Sequence, residues 1–149
     1  MDLSSKIAVV TGAGQGVGLG IASAMAKKGT KVAMLGRTFS KVKNESSKLN
    51  EAGFETLALE CDVKDPDSIS HSQEEIKKIF GPVNVLINNA QEVPLGSILD
   101  VTDEAINAGW ESGPLATFRL MKLFYEDLKG DGVIINLASS SALRPDSSG

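Results

Sequence analysis

The residues with most to say about chemistry are Thr11-Gly12-Ala13-Gly14-Gln15-Gly16-Val17-Gly18. An apolar run, Ile7-Ala8-Val9-Val10, comes just before them, and an alanine-rich helical pattern comes just after. Strand, glycine turn, helix is the arrangement that aims free backbone N–H groups and the positive end of a helix dipole at a bound phosphate. Gly12, Gly16 and Gly18 follow a G-x-x-x-G-x-G spacing and fit the commoner G-x-G-x-x-G at no offset. The physical needs are similar: a tight turn, close approach to a pyrophosphate, and close packing of helix on strand. The chemistry implied is dinucleotide binding and, through it, redox. A glycine-rich turn in some other α/β protein is the alternative reading of this motif alone.

A second feature lies at Leu35-Gly36-Arg37-Thr38. An acid that holds a ribose 2′-hydroxyl is expected about 20 residues beyond the glycine turn. No Asp or Glu occurs between Thr30 and Asn44, whereas Lys31, Arg37, Lys41 and Lys43 supply positive charge. Arg37 suits a 2′-phosphate, which it can pair with, and an adenine ring, on which it can stack. The plainer alternative is a solvated surface arginine with weak selectivity.

The elements that must position these residues alternate regularly. Apolar runs predict strands over 6–10, 31–35, 54–59, 83–87 and 133–137. Amphipathic patterns predict helices over 16–28, 40–52, 65–80 and 114–129, with Gly29, Gly53 and Gly81-Pro82 as stops and Pro114 in the first turn of the last. On that last helix Leu115, Phe118, Met121, Tyr125 and Leu128 form one apolar stripe, and Leu120 and Phe124 add a second side. The helix is therefore expected to meet both its own sheet and a second subunit. The alternation implies an α/β fold of the Rossmann type: a doubly wound parallel sheet with helices on both faces and the ligand at the C-terminal strand ends. Strands one to five of such a sheet are expected here, and later strands are expected to be missing.

Composition narrows the remaining classes. The chain has 149 residues and a net charge of −4, with no basic tract, so nucleic acid is not an expected partner. No stretch has the apolar length of a membrane span, and residues 1–10 do not read as a signal peptide. The single cysteine, Cys61, offers neither an internal disulfide nor a metal site and reads as a small buried apolar residue. The expected location is cytoplasmic.

Four motifs in order resemble the short-chain dehydrogenase/reductase family: Thr11-Gly12-x-x-x-Gly16-x-Gly18, Cys61-Asp62-Val63, Asn88-Asn89-Ala90, and Ile135-Asn136-Leu137-Ala138-Ser139-Ser140. The resemblance implies an oxidoreductase that transfers hydride between a nicotinamide cofactor and a small carbonyl or alcohol substrate. It implies cofactor contacts from Gly12, Gly14, Gln15, Gly16, Val17, Gly18, Arg37, Thr38, Asp62, Val63, Asn89 and Ala90. A basic residue at position 37 implies NADP(H) in preference to NAD(H), which stays possible. Asp62 and Val63 become adenine contacts, although Asp62 also suits a turn or helix cap ahead of Asp65-Pro66. Ser139 becomes the catalytic serine that bonds the substrate carbonyl oxygen, with Ser140 or Ser141 as substitutes if the register shifts.

Three departures accompany the resemblance. Gln91 stands where glycine is usual, and Gly113 where an asparagine that holds a water of the proton relay is usual. The Tyr-x-x-x-Lys that supplies the proton in the family is absent. Tyr125 and Lys129 have that spacing but precede the fifth strand, and Tyr125 reads as a packing residue. Residues 1–149 are therefore expected to be one NAD(P)-binding domain that stops short of the catalytic Tyr and Lys and is inactive alone. A homodimer or homotetramer is expected of the full-length protein. The competing functions are a non-catalytic NADP(H)-binding module or sensor, and an inactive fragment whose fifth strand is an unprotected edge.

Overall fold

The computed structural model describes residues 2–139. Five parallel strands form one sheet: β1 (Ile7–Thr11), β2 (Lys31–Gly36), β3 (Thr56–Glu60), β4 (Val85–Asn88) and β5 (Val133–Asn136). Their spatial order is β3-β2-β1-β4-β5, so the direction of winding reverses between β1 and β4. The register runs Ala8↔Val32 on one side of β1 and Ala8↔Val85 on the other. The Rossmann-type doubly wound sheet read from the alternation is the fold observed.

Successive residues of β1 serve opposite faces, as the two-residue period of a strand requires. Ala8 and Val10 join a core with Val32, Met34, Ala22, Met25 and Val42, under α1 (Gly16–Ala26) and α2 (Phe39–Glu51). Ile7 and Val9 join the other core with Leu35, Ile69, Ile76, Leu120 and Phe124. That second face is covered by α3 (Pro66–Ile79) and by the long helical segment before β5. Asp65 caps α3 by accepting from the Asp67 N–H at 2.9 Å, and Pro66 fills a first-turn position where no N–H is needed. Gly29, Gly53 and Gly81 all take positive φ just beyond their helices, as stops should.

The helical segment before β5 differs from the sequence expectation. It begins at α4 (Asp103–Trp110), not at Pro114. The Thr102 side chain caps it by accepting from the Ala105 N–H at 3.3 Å, and Asp103 and Glu104 complement the dipole in the first turn. A π-helical turn follows at Glu111–Leu115, then α5 (Ala116–Leu123) and the short α6 (Tyr125–Leu128). Pro114 sits inside the π turn. A proline ring clashes with the preceding turn of a regular α-helix, and the wider turn relieves that clash.

The buried row of this segment is Ser112, Ala116, Leu120, Phe124 and Leu128, spaced by four. Of the expected stripe of Leu115, Phe118, Met121, Tyr125 and Leu128, Leu128 is in the core and Met121 packs partly against it, whereas Phe118 and Tyr125 are 60% and 61% exposed. Phe118, Met121, Tyr125 and Leu128 line a shallow groove with Ile134 of β5. Tyr125 is thus a surface residue and not the packing residue expected. β5 is the last strand of the sheet, and Val133, Ile134 and Ile135 are 36%, 37% and 47% exposed among the described residues.

Candidate cofactor cleft

The C-terminal ends of β1, β2, β3 and β4 open into one cleft of about 450 Å3, beside the point where the sheet reverses its winding. Gly12, Gly14, Gln15, Gly16 and Val17 line it from the β1–α1 turn, Arg37 and Thr38 from the end of β2, Asp62 and Val63 from beyond β3, and Asn89 and Ala90 from beyond β4. Eleven of the twelve residues expected to contact the cofactor therefore share one wall of space. The twelfth, Gly18, lies behind that wall. A Cβ there would run into the Gly12 carbonyl oxygen and stand 2.5 Å from Asn89 Nδ2. Its work is to let α1 approach β1 and the loop beyond β4.

Gly12 and Gly16 both have positive φ, +65° and +55°, which a side chain resists. The turn they make leaves Gln15 extended at the head of α1 with no side-chain cap, and the first turn carries no acid. The amide end of α1 therefore meets the cleft without competition from a capping oxygen. Lys41 Nζ adds positive charge beside it and donates to Gln15 Oε1 at 3.1 Å. Thr38, at the head of α2, likewise makes no side-chain cap.

The floor is a hydrogen-bond knot between β1 and β4. Thr11 Oγ1 accepts from the backbone N–H groups of Asn89 at 3.0 Å and Ala90 at 2.9 Å. Asn89 Nδ2 donates back to the Thr11 carbonyl at 2.9 Å and the Gly12 carbonyl at 3.3 Å. One strand end and the glycine turn are thus locked to the loop beyond β4. Asn88 extends the network to β5, donating to Asn136 Oδ1 at 2.8 Å. Asp62 makes the turn that sequence left open as one of its roles: its carboxylate accepts from the Lys64 N–H at 3.0 Å. Asp65, not Asp62, caps α3. Cys61 is buried, and burial pushes its thiol above the ordinary range, so it is a poor nucleophile.

Gln91 and Gly113, two separate anomalies in sequence, are neighbours here. A Cβ on Gly113 would stand 3.3 Å from Gln91 Nε2 and 3.6 Å from Gln91 Cδ. The glutamine amide lies in the room that the missing side chain leaves. Ser112 beside it is buried, donates to the Ala108 carbonyl at 2.7 Å, and accepts from the Glu92 N–H at 2.8 Å. The π turn is what brings Ser112 to the loop beyond β4.

Glu92 is the site residue that sequence reasoning missed. It lines the cleft and pairs with Arg37 and, at 2.8 Å, with Lys64 Nζ. The Lys64 ammonium, with Arg37 behind it, holds the Glu92 carboxyl below the usual carboxylate range. The contact spans 55 residues from Arg37, and no local pattern announces it. Ser139 is exposed beyond β5, at the same end of the parallel sheet as the cleft but outside the residues that line it. Ser140 and Ser141 lie outside the described residues. Among the described residues no helix is long and apolar enough to cross a membrane.

Sheet order, winding reversal and glycine turn together define a doubly wound α/β protein with a cleft at its switch point. Comparison with known proteins makes that class specific. A family model described as short chain dehydrogenase matches residues 6–148, and the chain belongs to this family. The 12alpha-hydroxysteroid dehydrogenase of a Clostridium species is 37% identical over 147 residues, covering 93% of this chain and 57% of that protein. L-sorbose reductase from Gluconobacter frateurii, solved with NADPH and L-sorbose, superimposes with a TM-score of 0.90 at 31% identity, covering 99% of this chain and 58% of that one. A Burkholderia phymatum short-chain dehydrogenase/reductase in complex with NAD shares the fold at a TM-score of 0.92 and 23% identity, covering 98% and 53% of the two chains. The chain spans about half the length of the curated relatives it matches.

Proposed function

We propose that residues 1–149 form the NADP(H)-binding part of an oxidoreductase that acts on a small carbonyl or alcohol. The observation that supports this most is the cleft itself. The uncapped head of α1, Arg37 and the Asn89–Thr11 knot converge on it from three strand ends. In that reading the α1 amides and Gly14 to Val17 hold the pyrophosphate, Asp62 and Val63 flank the adenine, and Arg37 with Thr38 takes the 2′-phosphate. Asn89 and Ala90 place the backbone beside the nicotinamide ribose. When bound, the nicotinamide supplies the hydride. Ser139 is the residue assigned to the substrate carbonyl oxygen, where a hydroxyl donor stabilises developing negative charge.

A non-catalytic NADP(H)-binding module or sensor is the second reading, and the Gln91–Gly113 pairing favours it. Gln91 lines the cleft, and its amide takes the room left open at Gly113. A single experiment tests cofactor class. Arg37→Ala is expected to weaken NADPH binding roughly ten- to a hundredfold, the worth of a charge-assisted contact, and NADH binding far less. Equal losses for both cofactors would refute the NADP(H) assignment. A screen of carbonyl substrates for NADPH oxidation by the natural gene product then separates enzyme from sensor.

A further inference from the structure

The Glu92 bridge is built from both ends. The backbone of Lys64 is held twice: its N–H by Asp62 at 3.0 Å and its carbonyl by Arg119 Nη1 at 3.1 Å. The backbone of Glu92 is held by Ser112, itself buried and bonded to α4. Lys64 and Glu92 side chains are only 26% and 28% exposed, unlike the other ion pairs among the described residues, each of which has at least one partner more than half exposed. Both cations meet the same carboxylate oxygen, Oε1. A carboxylate fixed in this way sits on the guanidinium that the proposed function gives to a phosphate.

We propose that Glu92 is a specificity-determining residue of the cleft: an internal carboxylate that occupies Arg37 and that a cofactor's 2′-phosphate must displace. This rests on the reading that Arg37 receives that phosphate. Displacement moves Arg37 from one anion to another and leaves Glu92 on Lys64, with its charge facing the phosphate. Both effects act against NADP(H). A cofactor with a neutral 2′-hydroxyl has no charge to exchange and meets neither effect. Glu92 therefore narrows the preference that Arg37 creates, and the anion absent from the end of β2 enters from the loop beyond β4. Lys64 is the one cation that stays with the displaced carboxylate and holds it in place.

The test is the dissociation constants of NADPH and NADH for the wild type, Glu92→Gln and Arg37→Ala, by titration of the purified protein. Glutamine keeps the size and the backbone bond to Ser112, so the fold is retained, and a thermal melt checks this. Glu92→Gln is expected to tighten NADPH on the order of fivefold, the scale of a partly exposed ion pair, with NADH within about twofold. The gain should shrink at high salt, where such pairs are screened. Glu92→Asp, too short to hold Arg37 and Lys64 together, is expected to fall between. NADPH binding that is unchanged or weaker in Glu92→Gln, or equal gains for both cofactors, would overturn the proposal. Should Arg37→Ala weaken NADPH selectively while Glu92→Gln does nothing, only the role of Glu92 fails. Should Arg37→Ala weaken both cofactors alike, the phosphate assignment fails first.

Discussion

Three glycines on one helix should respond to alanine in three different ways. At Gly18 a Cβ is driven against the Gly12 carbonyl and Asn89 Nδ2. To make room, Asn89 must leave its bonds to the Thr11 and Gly12 carbonyls, each worth about 1 kcal/mol. Overpacking at a closed strand–helix contact adds roughly 1–3 kcal/mol. Alanine returns about 1 kcal/mol of helix propensity. Gly18→Ala is therefore expected to destabilise by roughly 2–4 kcal/mol, a fall in Tm of about 5–15 °C for a chain of this size. At Gly20 a Cβ meets nothing within 4 Å, so Gly20→Ala should stabilise by about 0.5–1 kcal/mol. At Gly16 space is also open but φ is +55°, so Gly16→Ala carries only backbone strain of about 1–2 kcal/mol. Urea melts of the three variants measure the order directly. A Gly18→Ala protein as stable as Gly20→Ala would refute the reasoning that Gly18 exists for close packing.

Phe124→Ala should cost about 3–5 kcal/mol by urea melt, because Phe124 is fully buried, whereas Tyr125→Ala should cost under about 1 kcal/mol. A larger loss at Tyr125 would restore the stripe expected from sequence. Gly113→Asn should destabilise the wild type by roughly 1–3 kcal/mol through its clash with the Gln91 amide, and Gln91→Gly should remove most of that cost. A double-mutant cycle with no coupling would show that the two departures are independent.

Most of the sheet was legible because parallel strands buried on both faces are written as unbroken apolar runs. The ends of β1, β2 and β5 fall within a residue or so of those runs, as do the glycine stops of α1, α2 and α3. The glycine turn and the Asn88-Asn89-Ala90 stretch were legible for a different reason: close backbone contact restricts which residues fit. The segment before β5 departs from its sequence pattern because Pro114 has two meanings. It marks a first turn in a regular helix, and it is equally at home in a π turn. Thr102 followed by Asp103 and Glu104 was the cap signal that would have placed the start correctly. The buried face of that segment departs from the pattern for a related reason. A row spaced by four drifts about 40° per step on a regular helix. The π turn and the break at Phe124 realign it, so Ala116, Leu120, Phe124 and Leu128 join the core under the sheet while Ser112 is buried against the loop beyond β4. Glu92 was invisible for a third reason: its partners come from the ends of other strands, and only the fold brings them together.

The central claim is that the cleft at the strand ends takes a nicotinamide dinucleotide, and amide shift mapping tests it most directly. With NADPH titrated into isotope-labelled protein, saturable one-to-one shifts are expected at Gly12–Gly18, Arg37, Thr38, Asp62, Val63, Asn89 and Ala90. The amides of β5 and of the outer face of α5 should stay still. Absence of binding, or shifts centred on the groove of Phe118, Met121 and Ile134, would contradict the account.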